Sequence, residues 1–329
     1  MSKAGNVPVT AYILQERKNI DEYLKGLSNT IQILQQEFGP YPFNELALVE
    51  VPSEIANKAK FSGAALEGFF LASSGVFNAP EFRLTIPYIA HELGHLWFPF
   101  KVSLTGKKGR FTEEALAQYG SLRVVEKVQG EDFAKQYRKT GLPNYTTEFS
   151  AEGYFKIAEA GKDQRLDSLF GENGRRLAYT KGFIVFDMLS REIGRNQFQK
   201  IMYSITEKYA FREITWNEFV TTIKRKTGNK LSWFFEQWFE RMGAPTFEIK
   251  ELKQTRKYVQ GIIEQPAPFY TCHIELELKG EKKSIIKTLF INNRSMHFKV
   301  RTNFKVETVN IDPDYKVLRT FNKIVLPNE

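Results

Sequence analysis

The sequence predicts an α+β protein in two parts: a mostly helical domain with a small mixed sheet over residues 1–243, then a β-sandwich over residues 244–329. Three observations predict it. Apolar residues recur at helical spacing through much of the stretch before residue 243. After Gly243-Ala244-Pro245 the texture changes to short runs that alternate apolar and polar residues. At 329 residues the chain is also long for a single core.

The elements follow in order. Ile20, Leu24, Leu27, Ile31 and Leu34 share one face of a helix over residues 19–38, which Gly39-Pro40-Tyr41-Pro42 ends. Residues 46–51 read as a strand, and 69–72 as another, on either side of a Gly- and Ala-rich stretch from Gly63 to Gly68. Pro87 sits where a first helical turn tolerates it, ahead of a helix over 88–97. A second helix is expected over 111–128, after a Gly-rich loop, with Glu113 and Glu114 in its first turn. Others are expected over 178–193, 196–209, 215–227 and 231–242, with Thr215 and Ser232 near two starts, where hydroxyl caps are favoured. Strands are expected at 246–252, 262–263, 272–278, 284–291, 296–301 and 308–311, a spacing that fits a sandwich.

Composition narrows the function. The net charge is +9, but Lys and Arg are spread along the chain among Glu residues, and the densest runs, Lys107-Lys108 and Lys282-Lys283, are short. That pattern reads as solubility, and no nucleic-acid partner is expected. A single cysteine, Cys272, excludes an intrachain disulfide and a Cys-based metal site, and it fits the cytosol. No apolar run approaches the roughly 20 residues of a membrane span, and the first residues lack the apolar core of a signal peptide. The chain is expected to be soluble as given.

Chemistry concentrates in Ala90-His91-Glu92-Leu93-Gly94-His95. Positions four apart lie on one face of a helix, so the imidazoles of His91 and His95 can reach one zinc ion. Glu92 comes off the same region and can take a proton from metal-bound water. With only four histidines in the chain, chance rarely produces this arrangement. A catalytic zinc needs a third protein ligand and an open position. Glu113 and Glu114 are the candidates downstream. Their residue type alone does not choose between them, and the helix dipole would also favour either in a first turn.

The spacing from His95 to Glu114, eighteen residues, resembles the gluzincin zinc aminopeptidases, the family of aminopeptidase N and leukotriene hydrolase. Those proteins carry HExxH, eighteen residues, then a ligand Glu in a sequence like W-L-N-E-G-F-A-x-Y. Here Phe111-Thr112-Glu113-Glu114-Ala115-Leu116-Ala117-Gln118-Tyr119 matches it in character, with Glu113 and Ala115 in place of the family's Asn and Gly. The resemblance implies one zinc ion per chain held by His91, His95 and Glu114. It also implies that Tyr179, in Tyr179-Thr180-Lys181-Gly182, donates a hydrogen bond to the oxyanion. Gly63-Ala64-Ala65-Leu66-Glu67-Gly68 resembles the family's G-x-M-E-N, with the leading Gly displaced by one. That match implies that Glu67, with Leu66 and Ala65, binds the substrate's N-terminus along an edge strand.

The likeness runs from about Asn19 to Val309-Asn310-Ile311-Asp312-Pro313 and includes Phe38-Gly39-Pro40-Tyr41-Pro42. It implies a thermolysin-like zinc peptidase domain followed by an Ig-like sandwich. The family's large N-terminal β domain is absent here, so the chain reads as a truncated or minimal relative, whose upstream targeting and exopeptidase selectivity stay open. The expected activity is aminopeptidase hydrolysis of peptide substrates, with Glu92 as general base and Tyr179 at the oxyanion. A zinc endopeptidase or oligopeptidase with the same centre, and a catalytically silent binding module, are the alternatives.

Overall fold

The computed structural model describes residues 2–4, 7–78, 85–141 and 149–320; of residues 2–4, Lys107, Lys108 and Arg110 only the backbone is described. The basic run Lys107-Lys108 and the last residues of the expected sandwich, 321–329, thus lie partly or wholly outside the described residues.

Two strands, β1 (Ser2–Ala4) and β2 (Val7–Tyr12), precede α1 (Ile20–Phe38). That helix buries Leu24, Leu27, Ile31 and Leu34 along the stripe their spacing predicts. Next come β3 (Leu46–Val51), the short α2 (Ser53–Lys58), β4 (Gly63–Leu66) and β5 (Phe69–Ser73). The five strands form one mixed sheet in the order β1-β2-β3-β5-β4. In it β2, β3 and β5 run parallel, and β4 returns antiparallel to β5 through Glu67-Gly68, which leaves β4 on an edge. Three of these strands carry no clear signal in the sequence. Pro8 interrupts the β2 run, β1 is only three residues long, and Gly63-Ala64-Ala65 has little strand propensity.

The helical part continues with α3 (Ile86–Gly94), β6 (Val102–Leu104), α4 (Lys107–Gln129), α5 (Glu131–Thr140), α6 (Ala151–Glu159) and α7 (Gly171–Leu177). A π-helical turn (Ala178–Gly182) joins α7 to α8 (Phe183–Ile193). Then follow α9 (Arg195–Lys208), β7 (Arg212–Ile214), which pairs in parallel with β6, α10 (Trp216–Lys226) and α11 (Ser232–Trp238).

Several expectations are corrected here. The helix α4 starts at Lys107, not 111: Gly109 belongs to its first turn, where a Cβ would fall 1.6 Å from the Leu104 carbonyl oxygen. Glu113 and Glu114 therefore stand in the second turn, where the dipole is weak and does not account for them. The helix expected from 178 begins instead at Gly171 and is interrupted by the π turn. Thr215 caps α10 in a reciprocal capping box with Glu218, but Ser232 caps nothing, because Leu231 holds the N-cap position of α11.

All six expected C-terminal strands are present: β8 (Glu248–Gln254), β9 (Tyr258–Glu264), β10 (Cys272–Lys279), β11 (Ser284–Ile291), β12 (Ser295–Arg301) and β13 (Thr308–Ile311). They form two antiparallel three-stranded sheets, β12-β9-β8 and β11-β10-β13. Alternate residues Ile274, Leu276 and Leu278 are buried with Val259, Ile263, Val300, Val309 and Ile311. Among the described residues no helix is long and apolar enough to cross a membrane.

The architecture hangs on α4, which packs against α1, α3, α5, α8 and the π turn. Two contacts set how closely its neighbours approach. A Cβ on Gly94 of α3 would lie 2.9 Å from the Ala117 Cα, and one on Gly182 would lie 2.7 Å from the Ala115 Cβ. Backbones this close admit only a hydrogen on one side. We predict that Gly94→Ala lowers stability by about 1–3 kcal/mol in denaturant unfolding. Gly75→Ala, whose new methyl would meet nothing nearer than 3.7 Å, should change it by less than about 0.5 kcal/mol. Equal effects would contradict the close-approach account.

Charge is also buried beside this core. Asp187 on α8 pairs with Arg195 and, at 3.1 Å, with Arg191. Burial alone would raise its carboxyl, but Arg195, Arg191 and Arg138 hold it well below the usual carboxylate range. A depressed folded value means the group stabilises the fold above its unfolded value near 4 and ceases to do so as pH falls. Asp187→Asn should cost about 3–5 kcal/mol at neutral pH. Below about pH 4 the wild type should lose stability more steeply than the variant, as read by thermal unfolding across a pH series.

Candidate metal centre

The crossing of α3 over α4 brings three predicted residues to one point. His91 lies in α3, and His95 is its C-cap, still with right-handed helical dihedrals, so the four-residue spacing keeps both rings on one side. The Nε2 atoms of His91 and His95 each stand 3.4 Å from Oε2 of Glu114. One donor atom from each of the three residues lies within 4.8 Å of the others. Two ligands about 2.0–2.1 Å from a tetrahedral zinc sit about 3.3–3.4 Å apart, so the measured edges suit such an ion. Oε2 of Glu114 is buried without a hydrogen bond of good geometry, an acceptor that a cation would satisfy. His95 Nδ1 is 2.9 Å from the Phe98 carbonyl oxygen, to which it can donate, leaving Nε2 free as a ligand.

Glu113 points elsewhere. Its Oε1 accepts from the Leu104 amide at 3.0 Å and the Ser103 hydroxyl at 3.2 Å, which ties it to β6. Of the two glutamates between which residue type does not choose, Glu114 faces the imidazoles and Glu113 faces β6.

The electrostatics agree with a cation site. Burial disfavours the charged His95 ring, yet its hydrogen bond to Glu114 and the charges of Glu114 and Glu92 push it up to about 9. Burial opposes ionisation of Glu114 too, but hydrogen bonds from His91 and His95 and their charges hold its carboxyl far below the usual range. Glu92 differs. Burial, the largest influence, raises its carboxyl, with His91, His95 and the Ala65 amide pulling against it. A carboxyl raised in this way is better suited to accept and return a proton near neutral pH.

Tyr179 sits on the π turn, with its ring centroid 5.4 Å from that of His91 and 4.6 Å from that of Phe149. Burial, then the Glu114 charge and a hydrogen bond to it, push the phenol above its ordinary value, so it remains a neutral donor. Local π-helical winding recurs at functional positions because it re-aims one side chain within a helix.

The edge strand meets the centre at Ala65, whose backbone amide donates to Glu92. Leu66 is exposed at the end of β4 and Glu67 is exposed in the following turn. Among the described residues no hydrogen bond or ion pair joins Glu67 to the histidine cluster. Glu114 also lines an open pocket of about 380 Å³, together with Phe111, Leu169, Phe170, Arg175 and Ala178. Sequence reasoning gave no sign of Phe149 or of this pocket. Phe149 stands thirty residues from Tyr179, and no spacing rule links them.

The geometry agrees with what the chain resembles. The model of the Peptidase family M1 domain matches residues 23–238, well over half the chain. Among curated proteins, Aminopeptidase M1-D of Oryza sativa subsp. japonica is 23% identical over 68% of this chain and 26% of its own length. Tricorn protease-interacting factor F2 of Thermoplasma volcanium is 22% identical over 70% of this chain and 30% of its own. The chain thus spans between a quarter and a third of these relatives' lengths. Among solved structures, Legionella pneumophila aminopeptidase A in complex with aspartic acid superposes with a TM-score of 0.64 at 16% identity, covering 89% of this chain and 34% of that one. A point mutant of an M1 zinc metallopeptidase from Deinococcus radiodurans gives 0.51 at 16% identity, covering 67% and 45%. At such identities these likenesses speak to the fold. The family match encloses both the HExxH helix and the second helix that supplies Glu114, and on it the chain belongs to peptidase family M1, the gluzincin aminopeptidases.

Proposed function

We propose that this chain is the catalytic part of a zinc aminopeptidase, with His91, His95 and Glu114 as the metal ligands. The observation that carries the reading is the convergence of those three donor atoms, from two helices, within 4.8 Å of one another, with both imidazoles 3.4 Å from Glu114. In this reading residues 1–243 form a thermolysin-like peptidase domain and residues 244–329 an Ig-like sandwich, the latter supported by two small sheets whose alternate residues are buried.

Bound zinc would supply a Lewis acid and lower the pKa of water at the open position. Glu92 takes the proton of the attacking water and passes it to the leaving amine, a role its raised carboxyl suits. The Tyr179 phenol turns from Glu114 to the oxyanion as charge develops there. Among the described residues β4 lies on the sheet edge, where an extended peptide could pair beside it, and its end carries Glu67. Glu67 then holds the substrate's α-amine and Leu66 and Ala65 line the same strand, which sets cleavage at the N-terminal bond.

Two measurements test this. Glu92→Gln should retain one zinc per chain by elemental analysis while kcat on aminoacyl reporters falls at least about 10²-fold; full turnover would sink the base assignment. Glu67→Ala should lower kcat/KM on free-amine substrates by about 10–100-fold, the loss of one charge-assisted contact. It should leave zinc content unchanged. Cleavage of N-blocked peptides at the same rate as free ones, insensitive to Glu67→Ala, would make the protein an endopeptidase instead.

A further inference from the structure

The π turn that carries Tyr179 is held by a buried ion pair that the reaction above does not use. The Lys181 side chain is fully buried, and its Nζ donates to both carboxylate oxygens of Asp163 at 3.2 and 3.0 Å and to the Gln164 carbonyl at 3.0 Å. It also reaches the Arg241 carbonyl at 3.5 Å and lies 5.9 Å from the centroid of the Tyr154 ring. Asp163 is as fully engaged, accepting from the Tyr154 phenol at 3.3 Å and from the Gly243 amide.

Such a pair is a poor device for stability alone, because burying two charges offsets most of their attraction and an apolar pair often serves as well. Its distinctive property is direction. Residues two apart on a helical turn point to different sides. Lys181 is drawn toward Asp163, Gly182 is pressed against Ala115 of α4, and Tyr179 faces His91 and Glu114. Three fixed directions on five residues leave the turn one rotation. We propose that Lys181 and Asp163 are positioning residues that aim the Tyr179 phenol at the centre; the inference rests on the role given to Tyr179 above.

The test is a double-mutant cycle on the zinc-loaded chain: wild type, Lys181→Met, Tyr179→Phe and the double variant, each assayed for zinc content, kcat and KM on an aminoacyl reporter. A residue that acts through Tyr179 loses its effect once the phenol is gone. Lys181→Met should therefore lower kcat at least about 10-fold with KM within about two-fold, but lower it less than about two-fold in the Tyr179→Phe background. Wild-type kcat in Lys181→Met, or an equal loss in both backgrounds, overturns the proposal. Should Lys181→Met not fold, the charge-free pair Lys181→Met/Asp163→Asn goes through the same cycle with the same two outcomes. If the zinc-loaded wild type has no turnover, the peptidase reading fails by itself. The positioning claim is then decided by NMR of ¹³C-labelled tyrosine, with the Tyr179 signal identified by its absence in Tyr179→Phe. A shifted signal in Lys181→Met supports the claim, and an unmoved one overturns it.

Discussion

The closeness of α3 to α4 is the constraint on which the rest depends. Glu114 can share a point with His91 and His95 only if the two backbones nearly touch, and Gly94 against Ala117 is where they do. A side chain at that crossing would push the carboxylate away from the imidazoles. The middle residues of HExxH are usually read as spacers between ligands. Here the one before His95 fixes the distance to Glu114, so part of the cluster's geometry is set by an absence of atoms.

Around that crossing the charges are sorted by surroundings more than by residue type. Glu114, Glu92, Glu113 and Glu67 each have a different environment. Glu114 is held ionised by two imidazoles, while Glu92 is raised by burial and touched by the sheet edge. Glu113 is spent on the backbone of β6, and Glu67 is left in water at a strand turn. The reaction proposed above, in which a cation is held and a proton moved, needs such a separation. The fold supplies it with two helices, one strand edge and one turn.

Much of this was legible in the sequence. The HExxH pattern has a fixed geometric meaning on a helix, the interval to Glu114 is legible through its resemblance to a known family, and the C-terminal strands alternate cleanly enough to be read one by one. The start of α4 is hidden because a glycine that serves packing looks the same as one that serves a loop. The strand β4 is legible only through the resemblance, because the glycine that opens it, Gly63, reflects crowding by Tyr88 and Phe70 and not strand propensity. The π turn has no signature at all: one residue more per turn leaves periodicity unchanged over so short a span. The company of Tyr179 is likewise long-range, since Phe149 lies thirty residues away in the chain.

The contact between Ala115 and Gly182 bears on how relatives of this chain are compared. Taken as a single column, Ala115 is a departure from the glycine of the motif this chain otherwise resembles. In space it faces a glycine, and the gap between α4 and the π turn has room for one methyl group, not two. Alanine at 115 is therefore tolerated only while residue 182 stays a glycine. A larger residue at 182 would need a smaller one at 115, so the two positions constrain each other although they lie far apart in sequence.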